Sequence, residues 1–207
     1  EHADPELRDP PAQNVLALVE APHGQLPQNV TPTRYEVALT VDPSQERFDG
    51  HANIALQVAA PTTQIWIHGN QLEVAEATLT PEGGEAIPVT YRQEDEEGLA
   101  ELRLASPCPA GPATLSVRYD APFNRSLRGL YRVDETASSD EGGDEEDESH
   151  YAFTQFEATS ARLAFPSFDE PRFKTPFEFT LTVRAEDRAL FNTPEVDRQE
   201  LPNNMVR

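Results

Sequence analysis

From Val30 onward the chain alternates with a period of two. Tyr35, Val37, Leu39 and Val41 are separated by polar residues or small Ala38. Ala52, Ile54, Leu56 and Val58 repeat the pattern after Asp49-Gly50, which reads as a turn. Ile65-Trp66-Ile67 follows a Pro-Thr-Thr break, and Leu72/Val74, Ile87/Val89/Tyr91, Ala100/Leu102/Leu104 and Leu115/Val117/Tyr119 continue the series. Successive side chains of a strand point to opposite faces, so each run predicts a half-buried strand. Phe177, Phe179, Leu181 and Val183 predict a last strand, followed by a short extended piece at Ala189-Leu190-Phe191-Asn192. Short strands at this spacing, punctuated by Gly and Pro, predict an antiparallel sandwich or barrel-like sheet. With 19 prolines, long helices are disfavoured. The expected fold class is all-β.

The organisation follows from where the alternation stops. Residues 1–25 are rich in Pro, Glu, Asp and His, with one apolar patch at Val15-Leu16-Ala17-Leu18-Val19, and read as a loosely attached arm. Residues 26–193 read as one β-domain, long enough to bury a sizeable core. Within it, residues 134–149 hold nine acidic residues and no large apolar one, which predicts a disordered, solvated loop. Calcium would suit such carboxylates, but the stretch lacks the DxDxDG spacing of a calcium loop. The polar stretch 194–207 reads as a strandless linker.

The net charge of −21 narrows the partners. It repels nucleic acid and anionic membrane surfaces, which bind through clustered cations. No apolar run approaches the roughly 20 residues that span a bilayer. The Pro-rich start favours a secreted or cell-envelope protein over a cytoplasmic one. Cys108, the single cysteine, rules out an internal disulfide and reads as a small residue in the turn Ser106-Pro107-Cys108-Pro109.

Metal and nucleophile motifs are missing. The histidines at 2, 23, 51, 68 and 150 fall in neither HxxxH nor HExxH spacing, so no helix aims two imidazoles at one zinc. His68, at a strand end, reads as structural. GxSxG, GxGxxG and GK[ST] are absent too. Asp169-Glu170-Pro171 suggests a carboxylate pair, but adjacent residues on an extended chain point apart, and Pro171 makes a turn in which Asp169 bonds local amides. Thr154-Gln155-Phe156-Glu157 is different. On a strand, Gln155 and Glu157 share a face. Tyr151, Phe153 and Phe156 nearby could shield the carboxylate enough for it to bind an ammonium group, and the plain alternative is an exposed polar strand face.

Several segments together carry a resemblance. Leu26-Pro27 with Val30-Thr31-Pro32 and Tyr35, then Phe48-Asp49-Gly50, then Ile65-Trp66-Ile67-His68, then Gly129-Leu130-Tyr131-Arg132 occur in order. They are followed by Thr154-Gln155-Phe156-Glu157-Ala158 and by Ala161-Arg162 through Phe168-Asp169-Glu170-Pro171-Arg172-Phe173-Lys174. This set, over residues 26–192, resembles the first domain of the aminopeptidase N family, which includes the leukotriene-processing hydrolases. Ser167 stands where that family often has Cys, and the acidic insertion is longer than usual.

The resemblance implies a saddle-shaped, sandwich-like β-domain of a zinc aminopeptidase that removes amino-terminal residues from peptides. Its zinc would lie in a catalytic domain missing here, leaving no cofactor and no peptidase activity in this stretch. By resemblance, Glu157 would hold the α-ammonium of the peptide's amino terminus, Gln155 would line the first subsite and Phe156 would shape its wall. Arg162, Asp169 and Lys174 would be structural. The partners implied are the peptide substrate and the chain's own catalytic domain. A non-catalytic scaffold and a stand-alone β-sandwich binding module are the other readings.

Overall fold

A computed structural model of the chain describes residues 20–136 and 148–207. The strands are β1 (Val30–Thr40), β2 (Arg47–Val58), β3 (Thr62–His68), β4 (Glu73–Pro81), β5 (Ile87–Gln93) and β6 (Leu99–Cys108). There follow β7 (Gly111–Pro122), β8 (Gly129–Thr136), β9 (Glu148–Gln155), β10 (Phe177–Arg184), β11 (Glu200–Leu201) and β12 (Met205–Val206). The only helical piece among the described residues is a 3-10 turn at Ala161–Leu163. The fold is all-β, as the alternation predicts.

Ten strands form one open sheet in the order β11-β12-β10-β1-β2-β7-β4-β5-β6-β3. Its centre is antiparallel: β2 pairs with β1 on one side and β7 on the other, with Ile54 opposite both Tyr35 and Leu115. The inward side chains of these strands, Tyr35, Val37, Ile54, Leu56, Leu115 and Val117, join Ile65, Ile67 and Leu102 of the far strands in one apolar cluster. The long sheet therefore folds its two halves over a shared core, sandwich-like without closing into a barrel.

The sheet departs from the expected antiparallel pattern at β10, which lies parallel to β1 with Tyr35 opposite Phe177 and Leu39 opposite Leu181. Parallel neighbours need a long crossover, and the intervening strands supply it. Asp49-Gly50 is not a turn either; it lies inside β2, and Gly50 pairs with Tyr119. A Cβ on Gly50 would lie 2.1 Å from Tyr119 Cζ, so glycine serves close packing here. Cys108 ends β6 fully buried instead of sitting in a turn, and burial raises its thiol pKa.

At the chain's end, Asn203 and Asn204 take positive φ (62° and 58°), which asparagine tolerates in tight turns. They join β11 to β12, and β12 pairs with β10 through Val206 and Val183. The stretch 194–207 is thus not strandless. Residues 1–19 of the expected arm and 137–147 of the expected acidic loop lie outside the described residues. Strands reach into the acidic stretch from both sides, β8 to Thr136 and β9 from Glu148.

Candidate functional site

The Thr154–Glu157 segment is carried by a separate two-stranded ribbon. β8 and β9 pair with Gly129 opposite Gln155, Tyr131 opposite Phe153 and Val133 opposite Tyr151. Gly129 has φ +67°, and a Cβ there would approach Leu163 Cβ to 2.5 Å. A side chain at this position is excluded twice, by conformation and by space. The glycine lets the ribbon's end lie flat against the Ala161–Leu163 turn.

The ladder stops at Gln155. Beyond it the Ser160 N–H donates to the Phe156 carbonyl at 2.8 Å and closes a turn that contains Glu157. The shared strand face expected for Gln155 and Glu157 is therefore not the arrangement found, because β8 begins at Gly129 and offers Glu157 no partner. The Glu157–Ala158 peptide is cis.

Glu157 borders a cleft of about 400 Å³ walled by Tyr35, Phe165, Phe168, Phe173 and Phe177. Tyr35 and Phe177 stack with ring centroids 4.4 Å apart, and Phe165 meets Phe177 edge-on at 6.0 Å. Phe156 does not line the cleft. Its half-buried ring stands edge-on to Phe165 at 5.6 Å, behind the wall. Gln155 is outside the lining as well, exposed at the ribbon's end.

Two core tyrosines, whose inward positions the alternation marks but whose hydroxyl partners it does not, hold the loop beneath. Tyr119 donates its hydroxyl hydrogen to the Ala164 carbonyl at 2.8 Å, and the Phe168 N–H donates to the Tyr35 hydroxyl oxygen at 3.0 Å. Burial pushes both phenols well above their ordinary range. His68 bridges Ser167 through both backbone groups, and its Nδ1 accepts from the Asp169 N–H at 3.2 Å. Burial, helped by the nearby Arg162 charge, lowers its pKa to about 4, so the ring is neutral near pH 7.

The cleft's other acids are engaged. Asp169 pairs with Arg162 Nε at 3.0 Å, and Glu170 pairs with Arg172 while accepting from the Leu26 N–H. Arg172 also sits 4.5 Å over the Phe173 ring. Glu157 is exposed and enters no hydrogen bond or ion pair with the described residues. It is the cleft carboxylate left open to a cation. Lys174 is exposed beside the cleft. Among the described residues, no three of His, Cys, Asp and Glu gather into a group that could hold a metal ion.

The family model for the peptidase M1 N-terminal domain matches residues 31–207. A rice protein named aminopeptidase M1-D is 34% identical over 175 residues, covering 84% of this chain and 19% of that protein. Aminopeptidase N of Acetobacter pasteurianus is 31% identical over 183 residues, covering 88% of this chain and 48% of its own length. Endoplasmic reticulum aminopeptidase 1 of the rat is 32% identical over 186 residues, 88% of this chain and 19% of that protein. The chain thus spans from about a fifth to about half the length of these relatives.

Proposed function

The chain belongs to the family of peptidase M1 N-terminal domains, and on that premise we propose that it is the substrate-recognition domain of an aminopeptidase, with Glu157 receiving the free amino terminus of a peptide. The observation that carries this reading is the position of Glu157: exposed, unpaired among the described residues, and at the rim of an aromatic cleft. An ammonium about 4 Å from a carboxylate gains roughly 4 kcal/mol at an effective dielectric of about 20, before desolvation is charged against it. Aromatic faces beside the carboxylate suit a cation further. A substrate without the amine leaves the carboxylate desolvated and unanswered, so the pocket selects against it. Gln155, on the last ladder pair, offers its amide to the same incoming chain. Phe156 acts at one remove by backing Phe165.

The described residues do not fit a zinc ion, since they bring no ligand set together. The metal and the hydrolytic step belong, in this proposal, to a catalytic domain that the chain's own cleft faces. The test is an assay of the full-length protein on paired aminoacyl anilides, one with a free amine and one acetylated. Cleavage of the free-amine substrate alone is expected; equal cleavage of both would refute amino-terminal recognition.

A further inference from the structure

A cation beside Glu157 is as open as Glu157 itself. Around the ribbon and the cleft, Arg125 pairs with Asp134, Arg132 with Glu46, Arg162 with Asp169 and Arg172 with Glu170. Arg128 is exposed and enters no ion pair with the described residues, in a chain where Asp and Glu outnumber Lys and Arg by 37 to 16. Its hydrogen bond to the body runs from Nε to the Ser160 hydroxyl oxygen at 3.3 Å. Ser160 is 2% exposed, and its N–H closes the turn that carries Glu157. One buried serine thus anchors both charges. Gly129, packed against Leu163, fixes the backbone next to Arg128 and lies opposite Gln155. Arg128, Gln155 and Glu157 therefore gather at one end of the ribbon. The anchor engages only Nε of the guanidinium. Its two terminal nitrogens remain as parallel donors, the fork that receives a carboxylate.

We propose that Arg128 reads the side chain of the substrate's first residue, so that the full-length protein prefers peptides beginning with Asp or Glu. This rests on the reading of Glu157 as the receptor for the amino terminus. An acidic first residue carries an ammonium and a carboxylate on one short frame, and the end of the ribbon offers an unpaired charge for each. Arg128 and Glu157 do not pair with each other, so neither is neutralised before a substrate arrives. Lys174, an unpaired cation beside the cleft, has no hydrogen bond to hold it. An unanchored side chain must be ordered on binding, whereas the Arg128 fork is already held at Nε. A Lys or Arg first residue meets repulsion from the same guanidinium, so the discrimination has an attractive and a repulsive part. A neutral side chain leaves the fork hydrated and changes little.

The test compares the anilides of Glu, Ala and Lys as substrates of the full-length protein. The parent's kcat/KM should rank Glu first and Lys last. Arg128→Gln should lower it roughly 10- to 100-fold for the Glu substrate and leave the Ala substrate unchanged, as expected for a lost charge-assisted contact. Arg128→Lys should recover part of the loss, because a point charge replaces the fork. Arg128→Glu should turn the preference toward the Lys substrate, and Lys174→Gln should change none of the three. A parent that ranks Ala or Lys first would overturn the proposal. So would an equal loss on all three substrates in Arg128→Gln, which marks a contact with another part of the protein, or a loss on the Glu substrate that follows Lys174 instead. The reading of Glu157 fails separately. If acetylated and free Glu anilides are cleaved equally while Arg128→Gln lowers both, the amine receptor is wrong and the side-chain receptor stands.

Discussion

Tyr119 and Ala164 are joined by a 2.8 Å hydrogen bond across 45 residues of sequence, from the middle of the sheet to the loop beneath the cleft. Gly50 makes this possible, since any side chain on it would occupy the space of the Tyr119 ring. Tyr119→Phe removes the donor and leaves a buried carbonyl unanswered. It should destabilise the domain by about 1–3 kcal/mol in denaturant titration. Gly50→Ala should cost at least as much, because the ring cannot yield without breaking the same bond. A Gly50→Ala/Tyr119→Phe double variant that costs less than the sum of the two would show that they act through one contact.

Gly129→Ala tests the placement of the ribbon. The substitution meets both a left-handed backbone and the 2.5 Å approach to Leu163, so a loss of about 1–3 kcal/mol is expected. In the full-length protein it should also weaken substrate binding, since Glu157 hangs from this end of the ribbon. Unchanged stability would mean that the ribbon end is not packed as described.

His68 sets a pH dependence. Its pKa is about 4 folded and about 6.5 unfolded, so between these values the unfolded chain binds the extra proton. Its contribution is complete above pH 6.5, falls as pH drops toward 4, and changes no further below. The full swing is about 3 kcal/mol. His68→Asn can keep an acceptor for the Asp169 N–H but cannot titrate. Its stability, measured from pH 7 to 4, should decline less steeply than the parent's. Parallel curves would exclude His68 as the source.

Glu101 makes a second test on the acid side, through a charged group instead of a neutral one. Burial raises its pKa, but hydrogen bonds from Arg103 and Gln64 and the charge of Arg103 outweigh this and leave it lowered. Its carboxylate thus stabilises the fold above the usual Glu pKa, and that contribution is lost as pH falls through the lower folded value. Glu101→Ala should cost about 1–3 kcal/mol at pH 7, and the difference from the parent should shrink in acid.

The strands of the main sheet were legible because each buries one face, and a period of two records that. The positions in β1, β2, β6 and β7 expected to be apolar inward are the core residues found. What remained hidden depends on contacts between distant segments. The parallel docking of β10 on β1 leaves no mark in either strand's alternation. β8 and β9 bury little, so their pairing is written only in register. Asp49-Gly50 looked like a turn because glycine's two uses, conformational freedom and lack of bulk, are indistinguishable in sequence. Glu157 was found through the resemblance of its surroundings to a known family, whereas its seat in a turn past the ladder's end required the register of Gly129 with Gln155.

The account turns on whether Glu157 reads a positive charge. Glu157→Gln keeps the size and removes the charge. In the full-length protein, kcat/KM for free-amine substrates should fall roughly 10- to 100-fold, as expected for the loss of a charge-assisted hydrogen bond worth about 1.5–3 kcal/mol. The thermal midpoint should stay that of the parent, because the side chain is exposed and unpaired among the described residues. Parental kinetics in this variant would contradict the account.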